Sequence, residues 1–197
     1  DARSVRPPAR PVLLAAALCA GLAACRGDGR TPLTIYSPHG RDLLGLAQTG
    51  TGKTAAFLVA LYSTLLRRDV PPTRRANAPR ALILAPTREL CVQIEDDVQG
   101  FTYHTDLTSI AVYGGVDMGQ QERALKSGVD IVVATPGRLM DHQRSNAVDF
   151  TRVETFVLDE ADRMMDMGFW PDVRRIADLL PSSGKRQTML FSATMPD

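Results

Sequence analysis

The sequence is short of the residues that staple or metallate a small domain, and neither charge sign prevails. Its three cysteines, Cys19, Cys25 and Cys91, are an odd number at spacings that fit neither a disulfide framework nor a zinc site. Reduced thiols are expected, with Cys91 in the core. The three histidines, His39, His104 and His142, sit in segments of different kinds, without an i, i+4 pair or a nearby cysteine, so no structural metal is expected. Lys and Arg number 23 against 22 Asp and Glu. No whole-molecule field draws in a polyanion, and any nucleic-acid binding must come from a local patch. The uncharged run at 11–24 is shorter than the roughly 20 apolar residues of a membrane-spanning helix. What is present is 197 residues, 44% hydrophobic, enough for one domain with a core and a short appendage but not for two α/β domains.

The first forty residues differ in kind from the rest. Arg3, Arg6 and Arg10 precede the apolar run, which ends in Leu22-Ala23-Ala24-Cys25. This resembles the lipobox of bacterial lipoproteins, whose small residues admit the chain to a peptidase in extended form and whose cysteine is lipidated; Cys25 is the candidate lipidation site. Leu33-Thr34-Ile35-Tyr36-Ser37 reads as a first strand, as at the opening of a periplasmic solute-binding protein. The competing reading is an Ala/Leu helix packed on the domain behind it. A lipoprotein leader implies a membrane anchor and conflicts with the cytoplasmic chemistry of residues 41–197, so the sequence is read as two unrelated segments, 1–40 and 41–197, joined near Gly40.

From Asp42 onward, strand, loop and helix repeat, which predicts an α/β fold: a mainly parallel sheet with helices on both faces. Buried-strand runs fall at 43–47, 81–85, 109–113, 130–134, 155–158 and 188–191, with helices starting near Lys53, Arg88, Gln120, Gly137, Ala161 and Asp172. The stretch 67–79, with three prolines and four arginines, is expected to be a solvated loop, either a nucleic-acid contact or a plain connection. The Met-rich stretch 164–170 is expected to pack in the core.

Ala47-Gln48-Thr49-Gly50-Thr51-Gly52-Lys53-Thr54 comes after an apolar strand and opens a helix, the context of a Walker A phosphate loop. Gly50 and Gly52 let backbone N–H groups converge on phosphate oxygens, and the helix terminus adds about half a positive charge. Lys53 supplies a full charge to the β- and γ-phosphates of ATP, and the Thr54 hydroxyl is placed to ligate Mg²⁺. The partner is Phe156-Val157-Leu158-Asp159-Glu160-Ala161-Asp162, an apolar strand that delivers carboxylates at its carboxyl end. Asp159 suits a hydrated magnesium and Glu160 the polarisation of an attacking water.

The order AQTGTGKT, APTREL, GG, TPGR, LDEAD, SAT resembles the first RecA-like P-loop domain of DEAD-box RNA helicases, bacterial members above all. The resemblance covers 40–197 and implies ATP hydrolysis coupled to RNA binding and unwinding. The family shares the Ala at position 47. It implies RNA contacts at Pro86, Thr87, Arg88, Gly114, Gly115, Thr135, Pro136, Gly137 and Arg138. These types suit backbone recognition, salt-sensitive and indifferent to base sequence, with no DNA specificity expected. It further implies that the hydroxyls of Ser192 and Thr194 bond to the DEAD segment, Asp162 included, and join nucleotide state to RNA grip.

Two departures from the family pattern bear on activity. The adenine-recognising segment, with its aromatic residue and glutamine, has no counterpart around Arg30, and these 197 residues are expected to act without the second motor domain and its arginine fingers. Such a finger is worth about 10³ to 10⁵ in rate, against about 10² to 10⁴ for a general base. The expectation is an N-terminal motor-domain fragment with weak ATP binding and little turnover. The alternatives are a non-hydrolysing nucleotide- and RNA-binding module, and a lipid-anchored solute-binding protein built on the first forty residues. Nothing in the sequence specifies an oligomer.

Overall fold

Three apolar tetrads, Ala81–Leu84, Ile131–Ala134 and Thr155–Leu158, are buried at every position, the signature of strands covered on both faces. The computed structural model describes residues 34–36, 42–46, 52–70, 74–103, 105–182 and 184–194. Among these, the strands are β1 (Thr34–Tyr36), β2 (Leu43–Leu46), β3 (Ala81–Leu84), β4 (Ser109–Val112), β5 (Ile131–Ala134), β6 (Thr155–Leu158) and β7 (Gln187–Ser192). They form one sheet in the order β1-β2-β7-β6-β3-β5-β4. Every pairing is parallel except that of β1, which runs antiparallel to β2 with Thr34 opposite Leu46. The described helices are α1 (Lys53–Arg67), α2 (Arg88–Thr102), α3 (Met118–Ser127), α4 (Pro136–Arg144), α5 (Ala161–Asp166) and α6 (Trp170–Leu179).

Alternation along the strands splits the core in two. Ala81, Ile83, Ile131, Val133 and Val157 face Phe57, Leu58 and Leu61 of α1 and Cys91, Ile94 and Val98 of α2. Leu82, Leu84, Val132, Phe156 and Leu158 face Leu125, Leu139, Met164, Val173 and Ile176 from α3 to α6. Truncating one such Leu to Ala costs about 2–5 kcal/mol. Cys91 is fully buried, and burial, aided by Glu89, pushes its thiol up to about 12. Helix starts shift by a residue or two from the sequence reading for local reasons. The Asp117 side chain accepts the Gln120 N–H at 2.8 Å and starts α3 early, and prolines in the first turn advance α4 and α6.

Arg67 to Val70, Arg75 and Ala76 of the arginine-rich connection are exposed, as expected, but Arg74 is half-buried and Ala78 and Pro79 are buried. Arg74 donates to Asp130 at 2.5 Å and to the carbonyls of Val129 and Ala78. Arg80, just past the loop, is buried between Glu154, 2.8 Å away, and the Arg68 carbonyl. Arg68 bonds to Glu154 and Arg75 to Asp149. These carboxylates precede β5 and β6, so the arginines brace the amino ends of the strands. The Met-rich stretch is only partly core: Met164 is buried, whereas Met165 in the short α5 and Met167 just after it are exposed.

Candidate functional site

A parallel sheet sends every strand-to-helix loop to one edge, where ligands of open α/β sheets sit. Here the loops after β2, β6 and β7 share one half of that edge, and those after β3, β5 and β4 the other. The Asp159 N–H, donating to the Leu84 carbonyl at 3.0 Å, extends the ladder between β6 and β3 where the halves meet.

In the first half α1 starts at Lys53 behind Gly52, whose φ of 80° is left-handed and favours glycine. The Gly52 carbonyl accepts the Ala56 N–H, which closes the first turn. Ala47, Gln48, Thr49, Gly50 and Thr51 lie outside the described residues, as does Cys25. The Lys53 side chain is buried, with Nζ 3.7 Å from Asp159 Oδ1. At that distance the pair attracts without a hydrogen bond, and Nζ has no hydrogen-bond partner among the described residues. A buried ammonium without an acceptor is costly, and an anionic oxygen suits the place left by the described residues. Burial pushes the Asp159 carboxyl above the ordinary carboxylate range; Lys53 opposes that rise and Glu160 adds to it. Thr54, one residue on, is half-buried. The donor set of Thr54 hydroxyl and Asp159 carboxylate suits a hard cation that keeps most of its waters. Among the described residues no cluster of three or more His, Cys, Asp or Glu is arranged to hold a metal by itself.

Glu160 has a φ of 52°, the left-handed region that a residue with a Cβ rarely enters. Such a conformation costs about 1–3 kcal/mol and persists where the surroundings over-determine it. Its N–H donates to Asp159 Oδ1 at 3.0 Å, and its carboxylate accepts from Arg163 at 3.3 Å. Asp162 reaches the end of β7: its Oδ2 accepts from the Thr194 hydroxyl at 2.8 Å, the Thr194 N–H at 3.0 Å and the Ala193 N–H at 3.2 Å. The Ser192 hydroxyl donates to the Thr194 carbonyl at 2.5 Å. The Ser192 hydroxyl thus does not reach the DEAD segment, contrary to expectation. Burial raises the Asp162 carboxyl, but the bonds from Thr194 and Arg163 outweigh it and hold it below its usual range.

In the second half the structure brings together Pro86, Thr87 and Arg88 after β3, Thr135 to Arg138 after β5, and Gly114 and Gly115 after β4. The Thr87 hydroxyl accepts the Leu90 N–H and caps α2. Arg88 is exposed and lies over the Tyr113 ring, 5.1 Å from its centroid. Gly115 has a φ of 83°, and a Cβ there would sit 3.4 Å from the Arg88 guanidinium. Gly114 and Gly137 have open space where a Cβ would go and no positive φ. The fold does not require glycine at either, although glycine inside a helix costs about 0.5–1 kcal/mol relative to Ala. Both leave open space at the edge, as Gly100 does within α2. Tyr113, Gln121, His142 and Arg163 all touch this edge or its supports and carry no motif that marks them.

A family model described as DEAD/DEAH box helicase matches residues 31–197. The chain is 51% identical over 163 residues to the ATP-dependent RNA helicase RhlB of Pseudomonas putida, covering 82% of this chain and 41% of that protein. To RhlB of Xanthomonas oryzae pv. oryzae it is 47% identical over 186 residues, covering 94% of this chain and 32% of the relative. The crystal structure of the yeast DEAD-box splicing factor Prp28 superposes with a TM-score of 0.73 at 40% identity, over 81% of this chain and 38% of that one. The chain therefore spans about two-fifths or less of the length of these relatives.

Proposed function

This chain belongs to the DEAD/DEAH box helicase family, and from that premise we propose that it is the ATP-binding, RNA-gripping motor domain of an ATP-dependent RNA helicase. The observation that carries the reading is the buried Lys53 ammonium, unsatisfied within the described residues and 3.7 Å from Asp159, at the edge where Asp162 clasps Thr194. Lys53 and the loop 47–54 hold the phosphates of ATP. Thr54 and Asp159 would hold Mg²⁺, partly through water, and the ion would neutralise charge on the phosphates. Glu160, fixed by its left-handed backbone, orients the attacking water and accepts its proton. RNA is held by its backbone across Pro86 to Arg88, Gly114 and Gly115, and Thr135 to Arg138, without reading bases.

Asp162, Ser192 and Thr194 join the two events, because a shift of the Asp159-Glu160-Ala161-Asp162 segment on nucleotide binding pulls the end of β7 with it. Residues 31–197, the span of the family match, form the motor unit rather than 41–197, because β1 pairs with β2 in its sheet. Its place is the cytoplasm with ATP and RNA, and the lipobox-like Leu22 to Cys25 before it makes Cys25 the lipidation point of a leader. Among the described residues no helix is long and apolar enough to cross a membrane. These 197 residues alone bind ATP weakly, turn it over very slowly and do not unwind RNA.

Titration of the purified chain with ATP and Mg²⁺, with and without single-stranded RNA and beside Lys53→Ala, tests this reading. Weak binding that Lys53→Ala abolishes, with negligible turnover, is the expected result. Binding that survives Lys53→Ala would sink the assignment of the phosphate site, and brisk RNA-stimulated unwinding would sink the claim of inactivity.

A further inference from the structure

The loops of the nucleic-acid half are linked by a run of contacts that neither phosphate binding nor RNA contact uses directly. The Arg88 guanidinium lies over the Tyr113 ring. The Tyr113 carbonyl accepts from Gln121 Nε2 at 3.1 Å, and Gln121 Oε1 lies 3.1 Å from His142 Nε2. Gln121 is 5% exposed and His142 not at all. The run therefore passes from the start of α2 to the glycine loop, into α3, and through the interior to α4, whose first turn carries Pro136, Gly137 and Arg138.

Chemistry fixes its sense. With the amide nitrogen of Gln121 turned to a carbonyl, its oxygen faces the imidazole, so His142 carries its hydrogen on Nε2 and donates it. Nδ1 is left buried with no partner among the described residues. Burial, with Arg138 one turn away on α4, pushes the ring below the usual histidine range, against the weaker pull of Glu122 and Asp141. A neutral, singly oriented imidazole is the result. An apolar pair would fill the same space without two buried polar groups, but it would leave the glycine loop free to slide on α4.

We propose that Gln121 and His142 are positioning residues for RNA: their buried link sets the Gly114-Gly115 loop against the first turn of α4, so that both follow one nucleic-acid backbone. This rests on the RNA-gripping role proposed for the domain. Neither residue touches RNA; each acts through the loop it holds.

The test compares Gln121→Leu, His142→Leu and His142→Gln in the full chain, with NMR order parameters at Gly114 and Gly115 and with affinities for single-stranded RNA and for ATP. A glutamine at 142 puts an amide donor where Nε2–H stands, so it should restore what leucine loses. Both leucine variants are expected to take the two glycines from rigid values near about 0.85 to below about 0.6. They should weaken RNA binding about tenfold, the worth of one or two hydrogen bonds, with ATP affinity unchanged and His142→Gln close to wild type. Unchanged order at Gly114 and Gly115, or His142→Gln as poor as His142→Leu, would overturn the proposal, as would an equal loss of ATP affinity. If the wild-type chain holds no RNA at all, the RNA-gripping role itself fails, while the order parameters still uphold or overturn the link.

Discussion

The two halves of the sheet's carboxyl edge are built from the same strand-loop-helix unit, yet they keep their charges in opposite ways. On the β2, β7 and β6 side, Lys53 and Asp159 are buried against each other. On the β3, β5 and β4 side, Arg88 is exposed over an aromatic ring and the glycines leave open space. A buried charge with no hydrogen-bond partner among the described residues suits one ligand atom at one place, such as a phosphate of a small nucleotide. Exposed charge on neighbouring loops is answered by any polyanion that lies along them. Position in the sheet alone does not tell the halves apart; the depth of the charge does.

The largest effect should come from Lys53→Ala. ATP affinity is expected to fall at least about 100-fold, in line with the loss of charge-assisted bonds of about 1.5–3 kcal/mol each, while nucleotide-free RNA binding stays within about twofold. Parallel titrations with ATP and RNA measure this, and equal losses in both would erase the division between the halves. Next is Glu160→Gln, expected to lower the already slow single-turnover hydrolysis by about 10² with ATP affinity retained.

Asp162→Asn comes third and tests the join. RNA should lose its influence on ATP affinity, a coupling of about 1–3 kcal/mol in such systems, read by titrating ATP with and without RNA. The same variant separates two carboxylates of opposite sign. Asp162 is held below its usual range, so its contribution to stability is complete at neutral pH and disappears as pH falls through its folded value. Asp159 is pushed up by burial, so its contribution is complete at low pH and disappears as pH rises through its folded value. Melting temperature followed from neutral pH into acid should therefore fall less in Asp162→Asn than in wild type. The smallest effect is expected from Gly137→Ala, which should leave the fold unchanged or up to about 1 kcal/mol more stable while weakening RNA binding and leaving ATP alone. Tighter RNA binding would remove the argument from open space.

The strands were legible because Ala81 to Leu84, Ile131 to Ala134 and Thr155 to Leu158 are buried on both faces and so read as unbroken apolar runs. Asp130, expected to open β5, instead lies just before it and bonds to Arg74 and Thr108, a contact of residues far apart in the chain that no local pattern shows. Lys53 and Asp159 were legible as a pair because their motifs have a spacing that comes from the chemistry, whereas the contact of Asp162 with Thr194 was implied only by the family resemblance. His142 was not: 21 residues from Gln121, it reads as one more polar residue on a helix. Only the packing of α3 beside α4 turns it inward.

Cys91 gives the domain a built-in timer. With its thiol pushed up to about 12 under α2, it has almost no thiolate at neutral pH and resists alkylation while the helix is docked. Each departure of α2 from the sheet exposes it, so the rate at which peptide mapping finds Cys91 alkylated counts those departures. Arg88 and Thr87 stand at the head of the same helix. If RNA slows the timer and ATP alone does not, ligand at the edge is clamping the helix beneath it.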